Sequence, residues 1–216
     1  MNRIVLAASA ALALALAGGP AHADQAAAGF AKLFSDVCMA KFGHLDKVWD
    51  WAKDQHWPRL LNPEALAVFA GKPNMDGTMR SVAGGGVPGS GKAWVVREAA
   101  GNYVVATRED PESCIVWAQA ADPAAVEADY AKMLTDAAKP GIDVRTGEDR
   151  TAEIPDGKVH IRVSRVWSGS ALNSFALVMA AVSRSGGPFQ AMLETQRLVN
   201  RDDPINPMVP LQPPSE

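Results

Sequence analysis

Cysteine is scarce in this chain, histidine is nearly as scarce, and neither sign of charge dominates. Its 216 residues hold two Cys, four His, and 21 Lys+Arg against 24 Asp+Glu, for a net charge of −3. That balance excludes a basic nucleic-acid binder. An apolar share of 48% excludes a disordered polyampholyte. Beyond the N-terminal segment no apolar run approaches membrane length, which excludes a multi-span membrane protein. No G-x-S-x-G nucleophile elbow and no C-x-x-C redox motif occur. What is left is one globular domain of ordinary size with a proper core.

The first residues do carry a signal. Met1-Asn2-Arg3 gives a short positive end, Ile4 to Ala17 is almost wholly apolar, and Gly18-Gly19-Pro20-Ala21-His22-Ala23 follows. This reads as a secretory signal peptide cleaved after Ala23, because the apolar stretch is short for a bilayer span and Ala21-x-Ala23 suits signal peptidase. No cysteine follows the run closely, so a lipid anchor is not expected. The expected product is a periplasmic or secreted protein with no membrane span. Its two cysteines, Cys38 and Cys114, then meet an oxidising compartment, where an even count favours a disulfide. Two buried free thiols acting as small apolar side chains are the alternative.

The hydrophobic periodicity predicts helix first and sheet afterwards. Phe30, Leu33, Phe34, Val37 and Cys38 fall at helical spacing over 26–42, with Gly43 as a stop. A second helix is expected over 45–56 and a short one from Asn62-Pro63 to Phe69, followed by a long surface loop over 71–92. Ala93–Glu98, Asn102–Thr107 and Ser113–Gln119 read as a three-stranded antiparallel meander. Asp122-Pro123 opens a further helix. Residues 142–157 are mixed, with at most a short strand and a turn at Asp156-Gly157. Val159, Ile161 and Val163 alternate as a half-buried strand, and Leu172–Ser183 suits a central one. Phe189–Val199 reads as strand after a Gly186-Gly187 turn, and 200–216 as a proline-rich extended or disordered tail. The domain proper is thus 24–199. Its expected class is α+β, an antiparallel sheet with helices on one face. The heptapeptides at 30–36 and 130–136 echo each other, which admits a plan of two α-β-β-β units; chance agreement of two amphipathic helices is the alternative.

Few residues carry chemistry. Gly86 to Lys92 matches G-x-x-x-x-G-K, but Ala93 stands where a hydroxyl should hold Mg²⁺, and a strand follows where a helix N-terminus is needed. It reads as a flexible glycine loop. His44, Asp46 and His56 match no metal-ligand spacing, so neither metal nor cofactor is expected. His160, Arg162 and Ser164 share a strand face, which reads as a solvated polar patch rather than as a nucleophile and its base. Trp51 lies about 110° from the apolar stripe of its helix, where a half-exposed Trp can anchor a partner. Packing under the 71–92 loop is its alternative. Trp51, His160 and Arg162 form the candidate binding surface, with no catalytic residue assigned.

In order, the chain offers a helix with Cys38 and Gly43, then Lys92-Ala93-Trp94-Val95-Val96, Gly101-Asn102-Tyr103-Val104-Val105-Ala106, and Cys114-Ile115-Val116-Trp117-Ala118. Over 26–199 it resembles a group of small exported bacterial proteins and lipoproteins of no assigned activity, labelled after a meningococcal locus. The resemblance implies that Cys38 and Cys114 are paired, and it implies no catalytic residues. The chain departs from the lipoproteins in lacking a lipid-attachment cysteine. Function is therefore expected to be non-catalytic binding of a periplasmic protein or a small ligand. The rivals are a small hydrolase using His160 as base, and an inhibitor or immunity-type protein inserting the 71–92 loop. A carboxylate such as Asp143, Glu148 or Asp149 sharing a pocket with His160 would favour the hydrolase.

Overall fold

The computed structural model describes residues 20–60, 92–154, 157–183 and 190–205. The leader as far as Gly19, the 61–91 stretch with its expected helix, loop and glycine motif, Asp156, the Gly186-Gly187 turn and 206–216 lie outside these residues. Within them the chain is α+β, as its periodicity predicts. Helix α1 (Pro20–Phe34) leads into a wider turn at Ser35–Met39, then α2 (Leu45–Asp54). Strands β1 (Lys92–Glu98), β2 (Gly101–Glu109) and β3 (Glu112–Ala118) form the meander. Helix α3 (Pro123–Ala137) is followed by β4 (Asp143–Ile154), β5 (Gly157–Trp167), β6 (Phe175–Ser183) and β7 (Ala191–Arg197).

All seven strands make one antiparallel sheet in the order β1-β2-β3-β7-β6-β5-β4. The helices pack on one face of it. There Phe30, Phe34, Val37 and Cys38 meet Val96, Val105, Val116 and Leu193, while Val126 and Tyr130 meet Leu177 and Met179. Burial of each large apolar side chain is worth roughly 1.5–3 kcal/mol, so this layer carries most of the fold. The opposite face has its own cluster, including Ala106, Ile115, Trp117, Ile161, Val163 and Val178. A buried ion pair of Arg108 and Glu194, 3.3 Å apart, lies on this second face.

Chain order gives two α-β-β-β runs, but the second is not a rotated copy of the first. Both β3 and β6 run antiparallel to β7, so they point the same way. One run enters the sheet from the β1 edge, the other from the β4 edge, and both helices lie on one face. Two such arrangements are mirror images, and no rotation superposes L-chains so arranged. The heptapeptide echo does place Lys32–Asp36 and Lys132–Asp136 as matching i,i+4 ion pairs, and Phe30 and Tyr130 both in the core.

Several boundaries differ from the periodicity. The single helix over 26–42 widens into a π turn at Ser35–Met39, where the Ala40 amide donates to the Ser35 carbonyl at 2.9 Å. The extra residue falls in the turn that carries Val37 and Cys38, both fully buried after Phe34 as the helical spacing predicts. Helix α2 stops at Asp54 because His56 takes a positive φ of 55°. The His56 amide reaches the Lys53 carbonyl and the Trp57 amide the Ala52 carbonyl, closing the helix as a Schellman motif does with glycine. Residues 142–157 hold a 12-residue strand rather than a short one. Strand β6 begins at Phe175; Leu172, 70% exposed, lies in a 3-10 turn whose amide is capped by Ser170. The start of the tail is tied down. Arg165 donates to the carbonyls of Arg201 and Asp203, and Ile205 packs on the second face.

Candidate functional site

The expected disulfide is present. Cys38, at the π turn, joins Cys114 on β3 with their Cα atoms 5.3 Å apart. The bridge spans 76 residues of sequence. Closing so long a loop in the unfolded chain is worth about 4.5 kcal/mol in the chain-entropy account. Beside it lies a cleft of about 10 Å³ walled by Lys41, Phe42, Glu112 and Thr195, space for no more than one water.

Trp51 is half-buried, and its ring face is already occupied. Lys41 Nζ sits 3.2 Å from the ring centroid and donates to the Asp36 carbonyl at 2.7 Å. Trp49 is held similarly, by Lys92 at 3.1 Å over its ring and by an indole N–H bond to Thr107 Oγ1 at 3.0 Å. Trp51 stands on α2, which reaches β1 and β2 through Trp49, whereas His160 lies on β5, four strands from β2 in the sheet. His44 and His56 bracket opposite ends of α2, about 18 Å apart at 1.5 Å per residue. Among the described residues no group of three His, Cys, Asp or Glu side chains could hold a metal ion.

The polar face of β5 is not a solvated patch, and here the reading from strand alternation is corrected. Helix α3 crosses it. Tyr130, fully buried, hydrogen-bonds Ser164 Oγ at 2.9 Å and the Leu177 carbonyl at 3.1 Å, and Ser164 is buried with it. Burial pushes the Tyr130 phenol up to about 12. His160, one turn of the pleat away, lies between two carboxylates. Its Nδ1 is 2.8 Å from Glu127 Oε1 on α3, and its Nε2 is 2.7 Å from Asp149 Oδ1 on β4. Arg162 Nε stands 2.9 Å from the other oxygen of Asp149, and its guanidinium carbon 5.7 Å from the Tyr130 ring centroid.

The electrostatics follow from this geometry. Hydrogen bonds donated to Asp149 first, then to Glu127, hold the His160 pKa above its ordinary 6.5. The bond from His160, reinforced by Arg162, holds the Asp149 carboxyl below its ordinary 3.8. An imidazolium donates through both nitrogens at once. In that state His160 has no lone pair with which to accept a proton, and it acts as a bracket from α3 to β4.

Of the carboxylates considered from sequence, Asp149 is the one that reaches His160. Asp143 instead pairs with Arg145 and Arg201, and Glu148 with Arg150. Glu127 was not foreseen. It comes from a helix 33 residues earlier, and its only mark in sequence is its place one turn before Tyr130.

Comparison with protein-family models, with curated proteins and with solved structures returns no match. Two coarse properties bear on where such a protein works. It carries a disulfide, and among the described residues no helix is long and apolar enough to cross a membrane.

Proposed function

We propose that this chain is an exported, disulfide-stapled protein that binds a periplasmic partner or small ligand without transforming it. The observation that carries this reading is the engagement of both His160 nitrogens by carboxylates, which occupies the group a hydrolase of this plan needs as its base. Support for export comes from the leader-like N-terminus and from the Cys38–Cys114 bridge, since such bonds persist in oxidising compartments. The resemblance to small exported proteins of no assigned activity points the same way. Helix α1 runs from Pro20 across the Ala23–Asp24 bond, so cleavage after Ala23 would shorten it from its N-terminal end.

The test pairs two measurements on tagged full-length protein made in its own cells. Mass spectrometry should find a mature chain beginning at Asp24 with no free thiol. Crosslinking in the envelope fraction should capture a defined partner or ligand, equally well with H160Q. Turnover of an ester, amide or glycoside that H160Q abolishes would overturn the non-catalytic reading.

A further inference from the structure

Among the described residues, the ion pair that joins α3 to the sheet is the one between Glu127 and His160. From α3 the imidazole faces Glu127, and from β4 it faces Asp149 and its cross-strand neighbour Thr151. On its own strand Lys158 and Arg162 flank it on that face, Lys158 paired with Glu153 and Arg162 with Asp149. Its cross-strand neighbour on β6 is Ala181, which carries no charge.

The two carboxylates are held differently. Asp149 has a second anchor in Arg162, so it keeps its position and its charge whatever the ring does. Glu127 has no other ion pair among the described residues. A neutral imidazole retains one N–H, and its other nitrogen presents a lone pair. Facing a carboxylate at 2.7–2.8 Å, that lone pair repels. The stable neutral tautomer is the one that keeps its proton toward the fixed anion, which is Nε2–H to Asp149. Nδ1 is then turned, unprotonated, toward Glu127.

We propose that His160 is a proton-operated latch on α3: the imidazolium holds Glu127 and Asp149 together, and loss of its proton releases Glu127 alone. The release is local. Tyr130 keeps the middle of the helix fixed through Ser164 and Leu177, and Asp122 keeps its cap through the Ala125 amide at 2.9 Å. The backbone between these two holds is what loosens, over 126–129.

The experiment is a pH titration of the intact, ¹⁵N-labelled protein by NMR. The ring nitrogen shifts should report Nε2–H as the neutral tautomer. Amides 126–129 should move with the same midpoint as the ring and lose about two- to fivefold in hydrogen-exchange protection, as expected for a part-exposed ion pair. Amides of β3 and β7 should stay unmoved. E127Q should abolish the helix response while leaving a titrating His160, and D149N should reverse the tautomer. A neutral Nδ1–H form, or helix amides indifferent to the ring's titration in a protein still folded by its β3 and β7 signals, would overturn the latch.

Discussion

Tyr103 donates its phenol hydrogen to the carbonyl of Ala26 at 3.1 Å, and the helix can come that close only because residue 29 is glycine. A Cβ on Gly29 would stand 2.6 Å from the Tyr103 oxygen and 2.6 Å from the Ala100 Cβ. G29A should therefore destabilise by about 1–3 kcal/mol, even though alanine is the better helix former. Urea unfolding measures it, and an unchanged or raised midpoint would refute the close crossing of α1 over the β1–β2 turn.

Removal of the Cys38–Cys114 bridge, by reduction or by C38A/C114A, should lower stability by about 2–4 kcal/mol. The folded mutant should keep its far-UV signal, because both sites sit in a well-buried layer. The check is the difference in urea midpoint at constant m-value. A larger m-value would mean that the unfolded chain, rather than the folded one, has changed most.

Stability should fall as pH rises from neutral. The folded-state pKa of His160 is raised, so its contribution is whole below 6.5 and disappears as pH climbs through the raised value. For a part-exposed group the effect is at most about 1 kcal/mol. At the acid end Asp143, Asp149 and Asp203 have lowered values, so their contribution is present above 3.8 and lost as pH falls through those values. Asp129, pushed up by burial, opposes them there. Thermal melts across this range should show H160Q flat on the neutral-to-alkaline side while the wild type slopes downward.

His56 is a non-glycine residue at φ 55° closing α2. H56G should stabilise by roughly 0.5–1 kcal/mol, the left-handed strain removed less the added freedom of the unfolded chain. Its imidazole contact is with the Asp54 carbonyl on an exposed surface, so little else is lost. A lower melting temperature for H56G would show that this contact outweighs the strain.

The elements most legible from sequence were those with strong apolar spacing on one face, namely α1, the meander β1–β3 and α3. Strand β4 was obscured for a physical reason. It is an edge strand with one neighbour, its outward positions are charged, and a bulge at Gly147 shifts its register between Thr146 and Glu148. Alternation therefore changes phase within it, and a period-2 reading sees noise. The same bulge and charges protect an open edge from stray pairing. At the site, His160 and Arg162 were visible as a polar strand face, but not the helix that covers them. That helix's glutamate is brought over by the crossover from β3 to β4, and local spacing carries no trace of it. Trp51 was placed correctly on the flank of α2, while the ammonium of Lys41 over its ring depends on the chain's turn at Gly43.

The last of the described strands, β7, lies at the middle of the sheet. Until residues 191–197 have left the ribosome, β3 and β6 have no neighbour on their inner sides, and the two halves meet through α1 against α3 and Phe42 against Phe175. A nascent or truncated chain thus presents two raw strand edges at once, the situation most prone to pairing between molecules. Cooperative closure has to wait for β7, so loss of residues 191–197 should harm the whole sheet more than an equal loss from either rim.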